Sequence, residues 1–179
     1  MDLFERNDVE RLIKLLAIKL DEAGVVGTVS IVGGAAISLQ YVHDRDSTTD
    51  IDALFPQSQA VRSVIEEISK SENLPKDWIN DAVTAYVPFE VSNMWLDLFS
   101  IGEVTVRVAS AELLLAMKLR ADRGLRDRDD IYNLLVICGC KSILEVEEIY
   151  EKFHHQEVMD GRTRQVVKEM MATLRREDK

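Results

Sequence analysis

An apolar run that ends in two consecutive glycines constrains the fold of this chain more than any other feature. Residues 25–32 predict a buried strand that stops at Gly33 and Gly34, and good helix formers follow over residues 35–42. Glycines let a backbone approach a ligand closely, and the first turn of a helix carries partial positive charge. The strand, the glycine pair and the helix together predict a seat for a phosphate group.

A second predicted strand, over residues 50–55, carries aspartates at alternate positions. Because a strand turns successive side chains to opposite faces, Asp50 and Asp52 lie on one face while Ile51 points into the core. Two carboxylates side by side repel each other unless a hard cation lies between them. With the glycine pair, they predict a site for a metal-bound nucleoside triphosphate. The alternative interpretation is a pair of acids that face solvent.

A third acid, Asp97, lies among apolar residues of the strand predicted over residues 94–99. If this strand neighbours the strand of Asp50 and Asp52, the three carboxylates form one cluster. Such a cluster can hold one or two Mg²⁺ ions and lower the pKa of an attacking hydroxyl. The alternative for Asp97 is a position on the exposed face of its strand, or a pair with Arg107.

The order of the elements predicts the fold class. Strand, helix, strand and helix follow one another in the first half, which is typical of an α/β (α+β) domain, whereas everything after Ser110 is predicted to be helical. We therefore divide the chain into an α/β core, residues 1–109, and a C-terminal helical extension, residues 110–179, packed on that core. The predicted helices are 4–23, 35–42, 57–70, 111–121, 127–139, 142–153 and 162–176; the predicted strands are 25–32, 50–55, 87–91, 94–99 and 104–108, with a short helix or turn over 76–85.

Composition narrows the function classes. The 179 residues carry a net charge of −10, which argues against general coating of nucleic acid, although it leaves room for a local basic groove. No apolar run approaches the roughly 20 residues needed to cross a bilayer, and the first residues do not look like a secretory signal. We expect a cytoplasmic protein. Cys138 and Cys140, the only cysteines, have the spacing of neither a redox pair nor a zinc site.

The glycine pair with the later Asp-x-Asp resembles the nucleotidyltransferase superfamily, whose fold is shared with DNA polymerase β. Three blocks, residues 47–55, 74–82 and 106–131, resemble a bacterial family of uncharacterised nucleotidyltransferase-like proteins. That family is similar to the nucleotidyltransferase toxins of toxin–antitoxin and phage-abortive systems. The similarity runs from residue 25 to about residue 135. It implies an enzyme with a nucleotidyltransferase-type mixed sheet flanked by helices.

The resemblance implies roles for residues of the first half. Gly33 and Gly34 match the motif whose backbone holds the β- and γ-phosphates. The second position of this motif is often serine, and Gly34 lacks that hydroxyl. A replacement contact is expected from the backbone or from the polar residues before the acids, Ser47, Thr48 and Thr49. By the same resemblance Asp50 and Asp52 match the metal-binding pair, and Asp97 is the nearest match to a third catalytic carboxylate that binds metal.

The resemblance also extends to the helical half. Lys118 matches a lysine that meets the triphosphate in the toxin relatives, and Arg123, Arg126 and Asp127 match the Arg/Asp motif that follows. The alternative is a set of pairs one helical turn apart, Lys118 with Asp122 and Arg126 with Asp130.

The implied reaction is the transfer of a nucleoside monophosphate from a triphosphate such as ATP to a hydroxyl, with Mg²⁺ or Mn²⁺ as cofactor. The acceptor, whether a protein, a tRNA or a small molecule, is not encoded in any motif, and a cognate toxin or antitoxin is an expected partner. One rival hypothesis is a protein of the same fold that has lost catalysis and serves as an antitoxin or partner-binding module. A second rival treats the two acids as a structural cation site.

Overall fold

The computed structural model describes residues 3–45, 47–88, 92–121, 127–155 and 157–177, without the side chains of residues 175–177. Within these residues the chain has a mixed α/β fold with a five-stranded mixed sheet and seven α-helices, which confirms the predicted fold class. The chain divides into two compact units, Met1–Val87 with Trp95–Ala109 and Pro88–Met94 with Ser110–Lys179. The packing of a C-terminal extension on an α/β core stays a prediction.

The sheet belongs to the first unit, and its strands are not arranged in chain order. The order across the sheet is β3-β2-β1-β5-β4. The central strand β1 pairs antiparallel with β2 and parallel with β5, while β3 is parallel to β2 and β4 is antiparallel to β5. The bounds are β1 Gly27–Ile31, β2 Ile51–Leu54, β3 Ile79–Asn80, β4 Trp95–Ile101 and β5 Val104–Ala109.

Three α-helices of this unit follow the predicted periodicity: α1 (Arg6–Glu22), α2 (Gly33–Gln40) and α3 (Gln59–Ser71). The apolar stripe of α1 is buried, and α1 contacts α2, α3, β4 and β5. Helix α3 begins at Ser58, whose hydroxyl oxygen accepts a hydrogen bond from the amide of Val61 at 3.2 Å. One face of β2 is likewise buried, since Ile51 and Ala53 are inaccessible to solvent.

The segment predicted as a short helix or turn over residues 76–85 contains a strand that local patterning does not reveal. Trp78 is fully buried, and its indole N–H donates to the carbonyl oxygen of Ile65 at 3.3 Å. The amide of Ile51 donates to the carbonyl oxygen of Trp78, so the anchored tryptophan brings β3 to the edge of β2. A 3₁₀ helix, Ala82–Tyr86, follows. The predicted strand 87–91 falls partly outside the described residues, and residues 87 and 88 are not in a strand.

The second unit contains α4 (Ala111–Ala121), α5 (Arg128–Ile137), α6 (Ile143–Phe153) and α7 (Gly161–Glu177), close to the predicted helices. Polar side chains cap the N-termini of three of these helices. The Ser110 hydroxyl accepts from the amide of Leu113 at 3.2 Å, and Ser142 forms a reciprocal capping box with Glu145. The carboxylate of Asp160 accepts from the first amides of α7. No helix of the described chain is long and apolar enough to cross a membrane.

The stability of this second unit is expected to depend on pH through His154, which is buried at the end of α6. Burial lowers the pKa of His154 below its ordinary value of 6.5, although the hydrogen bond from Nε2 to the Ala116 carbonyl opposes this. The folded state therefore favours the neutral ring. Its contribution to the free energy of unfolding is present above pH 6.5 and is lost as the pH falls through that value toward the lower folded pKa.

We expect His154→Gln to reduce the fall in stability between about pH 7 and about pH 5, because glutamine keeps a donor for Ala116 and does not titrate. Urea denaturation across this range is the measurement, and the exposed neighbour variant His155→Gln is the matched control. Equal pH dependence in His154→Gln and the unmodified protein would contradict the assignment.

Candidate functional site

The glycine pair and the acidic strand meet where β1 passes into α2. Antiparallel pairing of β1 with β2 continues past the strand end, because the amide of Val32 donates to the carbonyl oxygen of Asp52 at 2.9 Å. Gly33 follows with φ +64°, in the left-handed region that favours glycine. A Cβ placed on Gly33 would lie 2.8 Å from Oδ2 of Asp52. The Asp52 carboxylate therefore lies against the backbone at the N-terminus of α2.

Asp50 is held by a short polar turn immediately before β2. One carboxylate oxygen accepts from the hydroxyl of Thr49 at 3.2 Å, and the other accepts from the amide of Asn80 at 3.0 Å. Asn80 is also the Cα partner of Asp52 across the β2–β3 pair. Asn80 thus links the two aspartates, which agrees with the prediction that both lie on one face.

The segment before Asp50 is tied to the rest of the unit. Thr48 forms a two-way backbone bridge with Phe4, and its hydroxyl donates to the Asp50 carbonyl oxygen at 3.0 Å. Ser47 lies directly before this bridge and is partly buried. The hydroxyls of Thr48 and Thr49 both donate to Asp50, so these residues shape the aspartate turn.

The second glycine lies under an arginine. A Cβ on Gly34 would lie 2.8 Å from Nη2, 3.0 Å from Cζ and 3.1 Å from Nη1 of Arg45. The guanidinium group therefore occupies the space beside Gly34 that a side chain would need. Arg45 comes from the loop between α2 and β2, a loop whose polar residues carry no periodic signal.

The residues of this site suit a hard divalent cation that arrives with a phosphorylated ligand. Asp50 and Asp52 supply carboxylate oxygens, and Mg²⁺ commonly uses one or two carboxylates together with substrate phosphates and water. In the part of the chain that the structure describes, no group of three or more His, Cys, Asp or Glu side chains is placed to hold a metal ion. The donor set thus fits Mg²⁺ or Mn²⁺ shared with a triphosphate better than a cation held by the protein alone.

The structure does not bring Asp97 to the other two carboxylates. Asp97 lies on β4, and both β1 and β5 separate β4 from β2. Three strand spacings amount to about 14 Å, too far for one ion to contact carboxylates on both β2 and β4. Asp97 is exposed and lies opposite Arg107, whose guanidinium donates to Ser30 and lies over the ring of Trp95. The cluster of three carboxylates predicted from the sequence is therefore not formed.

Lys118 lies in the second unit, within a cluster of buried charges. Its Nζ is 2.5 Å from Oδ1 of Asp127 and 2.8 Å from Oδ2 of Asp130, and the three side chains are 13%, 3% and 7% exposed. The other Asp127 oxygen, Oδ2, is buried and has no hydrogen-bond partner among the described residues. Asp130 pairs with Lys118, while its predicted partner, Arg126, belongs to a segment that is not described. Arg123 and Arg126 lie outside the described residues, as does Asp122.

An open cavity of about 650 Å³ adjoins the β3 edge, beyond Asn80. Its lining includes the apolar Ile65 and Ile79 and the cationic Arg62 and Lys76. Trp78 is not on this surface, since its side chain is core.

Sequence reasoning does not place Arg45 or Asn80 with the aspartates; it considers Asn80 only as part of a possible nucleobase or acceptor wall. The signal for Asn80 was its alternation with the apolar Ile79, which becomes visible only once β3 is assigned to the sheet. For Arg45 no periodic signal exists, because Arg45 belongs to a loop and comes beside Gly34 only in the folded protein.

Comparison of Gly33→Ala with Gly24→Ala is expected to distinguish the cost of backbone strain from the loss of ligand binding. Alanine at φ +64° costs about 1 kcal/mol of stability, and its Cβ displaces the Asp52 carboxylate. Gly24→Ala is the matched control, because Gly24 has φ +69° with open space around its Cβ position. Both variants should lose similar stability in urea denaturation, whereas only Gly33→Ala should weaken stabilisation by Mg²⁺ and a triphosphate in thermal shift. Equal ligand responses would show that Asp52 does not depend on Gly33.

Lys118→Met is expected to destabilise the protein strongly, because it removes the cation that lies between two buried carboxylates, at a cost of about 3–5 kcal/mol. Lys70→Met is the control, since Lys70 forms an exposed pair with Glu66 whose loss should change stability little. Urea denaturation measures both. Adding Asp127→Asn and Asp130→Asn to Lys118→Met should restore much of the loss; wild-type stability in Lys118→Met alone would contradict the cluster's structural role.

Comparison with known proteins gives one match. A family model described as a nucleotidyltransferase of unknown function (DUF6036) matches residues 7–173. No curated protein and no solved structure matches the chain. The family match confirms the resemblance to the nucleotidyltransferase superfamily and spans both units. The chain belongs to the DUF6036 family of nucleotidyltransferases of unknown function.

Proposed function

We propose that this chain is a metal-dependent nucleotidyltransferase that moves a nucleoside monophosphate from a triphosphate to a hydroxyl of an acceptor. One observation carries the proposal: the Asp52 carboxylate lies against Gly33 at the N-terminus of α2, and Asn80 ties Asp50 to the same place. This arrangement supports a phosphate seat beside a pair of hard oxygen ligands. Family membership supports the same class of activity.

In this proposal the protein's own groups bind and orient. Asp50 and Asp52 hold Mg²⁺ or Mn²⁺, and the cation supplies neutralisation of triphosphate charge and acidification of the acceptor hydroxyl. The backbone at Gly33 and Gly34 cradles the phosphates at the positive end of α2. Hydrogen bonds from Thr49 and Asn80 keep the Asp50 carboxylate in one orientation. Positioning and charge complementarity supply most of the rate enhancement in phosphoryl transfer.

The proposed reaction balances simply. The acceptor oxygen forms a bond to the α-phosphorus, the bond from that phosphorus to the bridging oxygen breaks, and pyrophosphate leaves. The proton of the acceptor hydroxyl passes to solvent. Asp97 takes no part, because the strand order holds it at the far edge of the sheet.

From the helical half, Lys118, Arg123 and Arg126 are proposed to contact the triphosphate. Lys118 is engaged with Asp127 and Asp130, so contact with a phosphate requires it to exchange or share these carboxylates. The acceptor belongs to one of three classes, a protein, a tRNA or a small molecule. A role within a toxin–antitoxin system, with a cognate partner protein, is part of the same proposal.

A second function is favoured by a specific observation. The residue next to the aspartates on β3 is Asn80, an amide that cannot act as a third carboxylate or as a base. This is compatible with a non-catalytic nucleotidyltransferase-fold protein that binds nucleotide or a partner, as an antitoxin does. The catalytic function predicts a labelled product, whereas the binding function predicts that none forms.

Label transfer distinguishes the two functions. Purified protein is incubated with each α-³²P nucleoside triphosphate, Mg²⁺ or Mn²⁺, and a host lysate as the source of acceptor. We expect a labelled product that falls at least about a hundredfold in Asp50→Asn and Asp52→Asn, since each removes a charge that holds the cation. Sensitivity of the product to RNase or protease identifies the acceptor class.

The matched control is Asp129→Asn, an exposed aspartate on α5, which should label like the unmodified protein. Thermal denaturation must show that each variant is folded. Full labelling by a folded Asp52→Asn variant would overturn the catalytic proposal. Stabilisation by triphosphate and Mg²⁺ without labelling in any lysate would favour the non-catalytic binding protein.

A further inference from the structure

The glycine pair lacks a side chain that could contact phosphate from the second position. Gly34 has no hydroxyl, and the hydroxyls of Thr48 and Thr49, which come shortly before β2, already donate hydrogen bonds within the protein. Thr48 donates to the carbonyl oxygen of Asp50, and Thr49 donates to its carboxylate. These hydroxyl protons build the aspartate turn and are not directed at α2. A further polar group beside the glycine pair would therefore add to the phosphate contacts of the backbone amides.

Arg45 lies where that group is needed. Three guanidinium atoms lie within 3.1 Å of the position that a Cβ on Gly34 would take, at nearly equal distances of 2.8, 3.0 and 3.1 Å. Equal distances mean that the face of the planar group, and not its edge, is turned toward Gly34. The N–H donors lie in the guanidinium plane, so they point along the surface beside the glycine pair. Donors in this arrangement suit bidentate contact with a phosphate group.

The charges around α2 support an anionic ligand. The N-terminus of a helix carries about half a positive charge, and a cation placed there is unfavourable unless an anion accompanies it. Arg45 adds a full positive charge at this end of α2, beside Gly34, while Asp52 lies beside Gly33. A triphosphate carried by a divalent cation is complementary to this arrangement, because it presents a cation that Asp52 would bind and anionic oxygens that Arg45 would bind.

We propose that Arg45 is a triphosphate-binding residue, and that its guanidinium supplies the contact that Gly34 cannot make. This inference rests on the proposed function, since it assumes a triphosphate on the glycine pair. A Cβ at residue 34 would meet the guanidinium group at the flexible end of the Arg45 side chain.

The experiment measures binding of inorganic tripolyphosphate with Mg²⁺ by isothermal titration calorimetry, which removes any contribution from a base or sugar. We expect Arg45→Ala to weaken binding about tenfold to a hundredfold, the range for loss of charge-assisted hydrogen bonds. Arg45→Lys should lie between Arg45→Ala and the unmodified protein, because lysine keeps the charge without the planar pair of donors. The control Arg11→Ala removes an exposed ion pair with Glu72 and should bind normally.

A second readout separates ligand contact from a structural role for the loop. Binding of Mn²⁺ alone at millimolar concentration, followed by electron paramagnetic resonance, reports on Asp50 and Asp52. It should be no weaker in Arg45→Ala, because that change removes a positive charge near the cation. Gly34→Ala, which adds a Cβ but no hydroxyl that could contact phosphate, should also weaken tripolyphosphate binding by displacing the guanidinium. Adding Arg45→Ala to it should cost less than in the unmodified protein.

The outcomes distinguish this inference from the proposed function. Normal tripolyphosphate binding by Arg45→Ala, or joint loss of Mn²⁺ and tripolyphosphate, would overturn the inference and leave the nucleotide site standing. If Arg45→Ala does not fold, Arg45→Lys carries the same test, and its normal binding would overturn the inference. Absence of tripolyphosphate, nucleoside triphosphate and Mn²⁺ binding in the unmodified protein would overturn the proposed function itself.

Discussion

The candidate site depends on the register between β1 and β2. The hydrogen bond from the Val32 amide to the Asp52 carbonyl extends this register by one residue beyond β1 and delivers Gly33 to the Asp52 carboxylate. A slip of one residue would turn Asp52 into the core and Ile51 to the site. The burial of Ile51 and Ala53 opposes that slip, and pairing of β1 with β5 on its other side holds β1 in place.

The neighbourhood of the two aspartates has a consequence for how ligands bind. Asn80 contributes an amide where a carboxylate would add a third negative charge, and its Nδ2 donates to Asp50. Two carboxylates retain a hard cation less firmly than three do, so phosphate oxygens must supply much of the coordination. Within the proposed function, the cation and the triphosphate then bind cooperatively. By binding phosphate oxygens, Arg45 would also favour joint binding of the cation and the triphosphate.

The second unit uses charge differently. Lys118, Asp127 and Asp130 are buried together, so their mutual attraction has to offset the cost of removing three charges from water. This cluster connects the end of α4 to the start of α5. A lysine so placed has a structural role even without a ligand, and a phosphate contact through it would change the balance of charge between the two helices.

Local patterns in the sequence determined much of the fold: the alternation that puts Asp50 and Asp52 on one face, the glycine pair at the start of α2, and the apolar stripes and serine caps of the helices. These features depend on residues within a few positions of one another. Only the tertiary structure decided the strand order that separates Asp97 from β2, the placement of β3 through Trp78, and the positions of Arg45 and Asn80 beside the glycine pair and the aspartates. Each of these depends on which distant segments pair and bury one another, and side-chain periodicity within a single segment carries no information about its partner.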